Sequence, residues 1–183
     1  MFLPPRACLS ARIDDSKRLT ARQRLQAFGV ILQHAAVGFG IASAEEIDRV
    51  NIRQAALLAM QRAVADLPLT PELLLVDGTA APSTPIAAWT IIRGDQHSYL
   101  IGCASIMAKV LRDRLMAFYD ALAPGYAFAT HKGYGTLLHA ERLRQLGPSV
   151  FHRMSFRPVA AAAGALLGVP RAPSDAALAP AAR

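Results

Sequence analysis

Apolar residues recur along this chain with two different periods. Leu25, Phe28, Leu32 and Ala35 fall three or four positions apart and predict a helix, and Thr20-Ala21-Arg22-Gln23 just ahead of them has the form of a capping box. Val37, Phe39 and Ile41 then alternate with small residues, as a half-buried strand does. Ser43-Ala44-Glu45-Glu46 is a second capping box, opening a long helix with Ile52, Ala55, Ala59, Ala63 and Leu67 in register until Pro68 and Pro71 end it. Two short strands come next. Leu73-Leu74-Leu75-Val76 closes on Asp77, and a second run through Ile91-Ile92-Arg93-Gly94 delivers Asp95, the two joined by a Gly/Thr/Pro-rich segment over 78–85. Ile101, Ala104, Ala108, Leu111, Leu115, Phe118 and Leu122 predict a further helix, with Lys109, Arg112 and Arg114 on its other side, stopped by Pro124-Gly125. A loop from Tyr126 to Gly135, a short helix ending near Gly147 and an alanine-rich helix from about Pro158 to Gly168 complete the pattern. Helices alternating with strands predict an α/β domain over residues 1–168. Residues 169–183, rich in Pro and Ala without apolar period, predict a disordered tail.

Composition narrows the partners. The 183 residues suit one domain with a real core, and 20 Lys+Arg against 13 Asp+Glu give a net charge of +7, which favours an anionic partner such as nucleic acid over an inert basic surface. Cys8 and Cys103 lie far apart, which fits a reducing cytoplasm and two buried, unreactive thiols better than a disulfide framework. The start, Met1-Phe2-Leu3-Pro4-Pro5-Arg6, lacks the form of a signal peptide, and no run reaches the roughly 18 apolar residues of a membrane span. A cytoplasmic protein without membrane contact is expected.

The chemistry rests on placement. Asp77 and Asp95 each follow an apolar strand-like run, so two carboxylates can reach one sheet edge and share a divalent cation, although a single Asp after a strand is more often a turn or cap residue. Hydrolysis of a phosphodiester by two metal ions needs oxygen ligands for both, and two carboxylates are a thin supply. Ser16, Lys17 and Arg18 stand just before a helix start, where hydroxyl, ammonium and free N–H groups gather around a phosphate; a solvated helix entrance explains the spacing equally well. His131-Lys132-Gly133-Tyr134 offers cations and a ring able to stack on a sugar or base, against the plainer reading of a half-buried loop Tyr. The five histidines show no metal-ligand spacing, which disfavours zinc.

Taken together, these residues resemble type 2 ribonuclease H, or ribonuclease HII. The likeness runs from about residue 2 to 168 and is carried by Asp15-Ser16-Lys17-Arg18-Leu19, Ala59-Met60-Gln61-Arg62-Ala63-Val64, Val76-Asp77-Gly78, Gly94-Asp95, Ala104-Ser105-Ile106-Met107-Ala108-Lys109-Val110, Arg112-Asp113, His131-Lys132-Gly133-Tyr134 and Ser155-Phe156-Arg157-Pro158-Val159. The resemblance implies a ribonuclease H-like mixed sheet flanked by helices. It implies hydrolysis of the RNA strand of RNA–DNA hybrids and nicking 5′ of ribonucleotides embedded in duplex DNA, with Mg²⁺ or Mn²⁺ as cofactor and a monomer in full-length form. By the same likeness Asp77 is a metal ligand and Asp95 the last of four acidic residues. Tyr134 stacks on the sugar at the RNA–DNA junction, and Lys17, Ser16 and Lys109 hold backbone phosphates.

One departure stands out. The family opens on a strand with adjacent Asp and Glu and a Gly-Arg-Gly loop, and this sequence contains neither. The expectation is that the first strand and most of the second are missing, that the true start lies upstream of Met1, and that the chain as given is inactive. A smaller departure is Gly102-Cys103 where the family usually has Ser-Ala. The alternative function is a non-catalytic RNA–DNA duplex-binding module, and the least favoured is a doubly wound domain for a small phosphorylated ligand, which lacks a glycine-rich phosphate loop.

Overall fold

The computed structural model describes residues 1–4 and 7–166. The predicted tail at 169–183 and the last residues of the alanine-rich helix lie outside them. The elements run α1 (Ala21–His34), α2 (Ala44–Ala65), β1 (Leu73–Asp77), β2 (Ala87–Ile91), α3 (Gly94–His97), α4 (Tyr99–Leu122), α5 (Phe128–His131), α6 (Leu137–Leu146) and α7 (Arg157–Leu166).

Both capping boxes form as the sequence predicts. The Thr20 hydroxyl accepts from the Gln23 N–H while the Gln23 side chain accepts from the Thr20 N–H, and Ser43 and Glu46 repeat the exchange at α2. The second helix is kinked, which its apolar spacing does not reveal. Asn51 leaves helical geometry at φ 69°, ψ 163°, and its side-chain oxygen accepts from the Arg53 and Gln54 N–H groups, capping the remainder of the helix. Arg62 spans the kink, donating to both carboxylate oxygens of Glu46 and to the Ile41 carbonyl at 2.6 Å. The Arg62 guanidinium, with help from the Ser43 N–H, holds the Glu46 carboxyl down to about 2.

The predicted strand over Val37, Phe39 and Ile41 is a correction. The segment is extended, but its pairing among the described residues is the single antiparallel bridge between Phe2 and Ala36, at 2.7 and 2.9 Å. Its alternation has another cause. Gly38 and Gly40 lie flat against α2, so close that a Cβ on Gly40 would stand 1.9 Å from the Ala59 carbonyl oxygen and one on Gly38 2.1 Å from that of Ala63. A period of two thus records a glycine edge on a helix rather than a ladder. The Phe39 N–H donates to Asp66 at 2.8 Å and pins the segment's direction.

β1 and β2 pair in parallel, with Leu73 opposite Ala87 and Asp77 opposite Ile91. Residues 78–86 return the chain without a helix, and Gly78, at φ 102°, turns its N–H onto the Ile91 carbonyl at 3.0 Å. The second strand starts and ends earlier than predicted. Asp95 therefore does not terminate a strand: it belongs to the one-turn α3, entered through Arg93 in the left-handed region at φ 54°.

The core is the α1–α4 contact, where Ala27, Phe28 and Ile31 meet Cys103, Ile106, Met107 and Val110, with Leu19 sealing the end. This rotates α1 from the predicted face, leaving Leu25 and Leu32 half exposed. Arg114, predicted beside Lys109 and Arg112, instead lies 4.9 Å over the Phe28 ring. Cys103 is fully buried, its thiol pushed up to about 11 by desolvation, whereas Cys8 is exposed, contrary to expectation. The apolar row predicted for α4 faces a different space: Ala104, Ala108, Leu111 and Leu115 line a cavity of about 840 Å³ shared with the 37–43 segment and α2. Asp48 of α2 reaches the far end of the chain, accepting from the Met154 and Ser155 N–H groups at 2.6 and 2.8 Å. No helix among the described residues is long and apolar enough to cross a membrane.

Two glycines make opposite predictions. Gly40→Ala drives a methyl into the α2 backbone and is expected to cost about 2–3 kcal/mol in urea unfolding. Gly29→Ala, inside α1 with nothing within 4 Å, is expected to add about 0.5–1 kcal/mol.

Candidate active site

The candidate residues gather along α4. Gly102, Ser105, Lys109, Arg112 and Asp113 recur at helical spacing and form one stripe, distinct from the core row Cys103, Ile106, Met107, Val110. At about 1.5 Å per residue, the stripe from Gly102 to Arg112 extends roughly 15 Å.

Asp77 and α3 occupy one end. The Asp77 Oδ1 accepts from the Gly94 N–H at 2.8 Å, so the carboxylate at the end of β1 grips the backbone N–H of the residue just before Asp95. Gly94 is buried and would have no room for a side chain, since a Cβ there would stand 2.5 Å from Ile101. Gly102 lets α3 close onto α4; its Cβ position lies 3.4 Å from the Asp95 carbonyl oxygen. Asp77 and Asp95 are therefore brought to the same end of the stripe by one hydrogen bond and one close helix contact. Among the described residues no cluster of three or more His, Cys, Asp or Glu side chains suited to a metal ion forms.

The loop before α1 comes next. Asp15 is buried and accepts from the Lys17 N–H at 2.9 Å; Arg24 donates to the Ser16 and Leu19 carbonyls, which fixes the turn. That brings the Ser16 hydroxyl 3.0 Å from the Ser105 hydroxyl, while the Lys17 and Arg18 side chains project outward. Arg12 leads in holding the Asp14 carboxyl below its usual range, and Arg18 also reaches Asp14 at 3.5 Å. Ser105 and Arg24, which give Ser16 its position, escape a reading based on local spacing because both contacts are tertiary.

Lys109 follows, but its charge is already met by Asp113 at 2.7 Å, one turn along and with both side chains about a quarter exposed. Beyond it the α5 loop packs on the stripe. Arg112 donates to the Lys132 carbonyl at 3.0 Å, and the Lys132 ammonium donates to the Asp113 carbonyl at 3.3 Å. These two bonds hold Lys132 and Gly133 in left-handed geometry, φ 52° and 79°, and deliver Tyr134 with 58% of its surface exposed. Beneath it lie His131, His139 and His152, all buried and stacked, which no periodicity marks because they come from α5, α6 and a loop.

The chain is similar to known proteins over most of its length. A family model described as Ribonuclease HII matches residues 6–159. The ribonuclease HII of Rhizorhabdus wittichii is 50% identical over 155 residues, covering 85% of this chain and 77% of that protein. That of Geobacter sulfurreducens is 51% identical over 148 residues, covering 80% and 68%. In fold, the chain is similar to the crystal structure of ribonuclease H2 from Pyrococcus horikoshii, with a TM-score of 0.70 at 16% identity over 85% of this chain and 82% of that one.

Asp77 has a structural task separable from charge. Asp77→Ala leaves the buried Gly94 N–H without an acceptor and is expected to cost about 1–3 kcal/mol, whereas Asp77→Asn keeps an oxygen there and is expected to unfold within about 0.5 kcal/mol of the parent in urea.

Proposed function

The chain belongs to the ribonuclease HII family, and from that premise we propose that it acts on RNA–DNA duplexes, hydrolysing the RNA strand of hybrids and cutting 5′ of single ribonucleotides in DNA. What supports this reading most directly is the single α4 stripe, which joins the Asp77–Asp95 end, the Ser16–Ser105 contact and the Tyr134 loop along roughly 15 Å. That length matches about four nucleotides of one strand at ~3.4 Å each. We take residues 1–168 as one ribonuclease H-like domain and a reducing cytoplasm as its setting, in keeping with the free Cys8 and Cys103.

The donor chemistry fits a hard divalent ion only in part. Two carboxylates suit Mg²⁺ or Mn²⁺, which keep several waters and accept few protein ligands. Asp77 already spends one oxygen on the Gly94 N–H, and no third ligand completes a cluster among the described residues. The pair therefore suits one loosely held cation and falls short of the two ions a two-metal route requires. When bound, such an ion would supply Lewis acidity at the phosphodiester. The chain's own residues do the remaining work: Asp77 and Asp95 present oxygens, Ser16 and Lys17 hold a backbone phosphate, and Tyr134 lies against the sugar whose 2′-hydroxyl distinguishes RNA from DNA. Lys109 joins the phosphate contacts by sharing its charge with Asp113, which makes Lys17 the stronger electrostatic contributor. The shortage of acidic ligands favours one second reading, duplex binding without hydrolysis.

Both readings meet in one experiment, with the 183-residue chain mixed with Mn²⁺ and a duplex carrying one ribonucleotide. Tight binding with a steep salt dependence is expected, and Lys17→Ala should flatten the slope of log K against log salt by about 0.9. Cleavage by this chain is expected to be feeble and to vanish in Asp77→Asn. Salt-independent binding would overturn the duplex reading. Undiminished cleavage by Asp77→Asn would remove Asp77 from the chemistry, and binding with no cleavage at any Mn²⁺ concentration would favour the non-hydrolytic reading.

A further inference from the structure

Three buried imidazoles beneath Tyr134 are joined to one another and to the loop. His131 Nε2 lies 2.8 Å from the Tyr126 carbonyl, and its Nδ1 accepts from the Gly133 N–H at 3.0 Å. His139 Nδ1 lies 2.9 Å from the Tyr134 carbonyl, and its Nε2 stands 3.2 Å from Nε2 of His152. His152 Nδ1 accepts from the Ser149 N–H at 3.0 Å, with the Ser149 hydroxyl at 2.8 Å. Only one arrangement of protons satisfies this set. Carbonyls cannot donate, so His131 carries its proton on Nε2 and His139 on Nδ1. The His139 Nε2 is then a bare acceptor, which requires Nε2–H on His152 and leaves His152 Nδ1 free to accept from Ser149. All three rings are neutral and every ring nitrogen is partnered.

We propose that His131, His139 and His152 are positioning residues, a neutral hydrogen-bonded relay that sets the backbone of the Tyr134 loop and hence the orientation of the Tyr134 ring. His131 grips the loop at the Gly133 N–H and through its own carbonyl at the Tyr134 N–H, while His139 grips it at the Tyr134 carbonyl. The loop needs this hold because Lys132 adopts a left-handed geometry that L-residues disfavour. A proton added to His139 or His152 would set two N–H groups against each other, so charging the relay breaks it. The surrounding charges are engaged elsewhere: Lys109 with Asp113, Arg112 and Lys132 with carbonyls, Arg142 and Arg144 with Gln145 and Glu141, Arg153 over the Phe156 ring, and Asp48 with the N–H groups of Met154 and Ser155. Tyr126, also packed on His152, donates its hydroxyl to Leu146. No carboxylate among the described residues bonds an imidazole of the trio. Burial lowers the pKa of His139 and takes that of His152 down to about 4, in line with a neutral relay. Because both are lowered, the unfolded chain binds protons the folded one refuses. Their stabilisation is full above about pH 6.5 and is lost as pH falls toward the folded values.

The inference rests on the proposed function only for what Tyr134 touches, and its test separates the two. Long-range ¹H–¹⁵N spectra of the full chain at about pH 7.5 should show His139 as the Nδ1–H tautomer and His131 and His152 as Nε2–H. A charged ring, or His139 protonated on Nε2, overturns the relay whatever the protein binds. In duplex binding, His139→Asn retains a donor near the Nδ1 position and should bind like the parent, while His139→Gln loses it and should weaken ribonucleotide-duplex binding about tenfold, or about 1.4 kcal/mol. That loss should disappear in a Tyr134→Ala background; an unchanged tenfold loss there means that His139 acts merely through the fold and overturns the positioning role. If Tyr134→Ala itself binds normally, the proposed substrate contact fails and the relay stands or falls on the spectra. Between pH 6.5 and 5 the parent should lose stability more steeply than His152→Gln, and equal slopes would count against a neutral His152.

Discussion

A helix with 3.6 residues per turn has room for about three separate faces, and α4 uses all of them. One face meets α1 through Cys103, Ile106 and Val110. A second, through Ala104, Ala108, Leu111 and Leu115, borders the cavity toward α2. The third carries Gly102, Ser105, Lys109 and Arg112, where α3, the Ser16 turn and the Tyr134 loop all dock. The site has little architecture of its own. It is a set of loops referred to one rigid helix, so the core contact that fixes the rotation of α4 about its axis also fixes which side chains share the stripe.

That dependence explains what the sequence made legible. Caps are local chemistry, so Thr20 and Ser43 announced their helices before any tertiary contact was known. The three-four row on α4 was equally visible, yet it marked the cavity face rather than the core, because a helix apolar on two sides has no single period to declare which side is deeper. On α1 the same ambiguity displaced the buried face from Leu25 and Leu32 to Ala27 and Ile31. The extended 37–41 segment looked like a strand because glycines pressed on a helix alternate as regularly as a pleat does. Asn51 hid its kink in an otherwise acceptable helical stretch, since the signal is a backbone angle stabilised by its own side chain. In the candidate site, Asp77, Asp95 and the His131–Tyr134 run stood out by type and order. Their supports did not: Ser105 for Ser16, Gly102 for α3 and the imidazole pair for Tyr134 are contacts between distant segments.

Charge shows the same division between local and tertiary information. A net charge of +7 suggests a broadly cationic surface, but several cations nearest the stripe are committed. Lys109 faces Asp113, Arg24 and Arg112 support carbonyls, and Arg114 covers Phe28. Lys17 projects from a turn that is itself fixed, with the exposed Arg18 beside it reaching Asp14. Attraction for a phosphate backbone falls off within about one Debye length, roughly 8 Å in physiological salt. Position along the stripe therefore matters more than the overall excess, and the outward cations at the Ser16 turn count for more than their number.

Rigidity, too, is distributed unevenly along the stripe, in a direction that suits recognition better than catalysis. At the Tyr134 end the backbone is held from three directions, by Arg112, by His131 and by His139. At the Asp77 end one bond to Gly94 orders a single-turn helix, and two carboxylates stand beside a sheet of two strands, where Trp89 of β2 and Ile92 just after it are about two-thirds exposed. A parallel pair is ordinarily covered on both faces, so this end has the less complete packing. Reading a sugar demands fixed geometry, and the chain supplies it from its own side chains. Holding metal for hydrolysis demands more oxygens than Asp77 and Asp95 present, and among the described residues no further acidic side chain joins them at that end of α4.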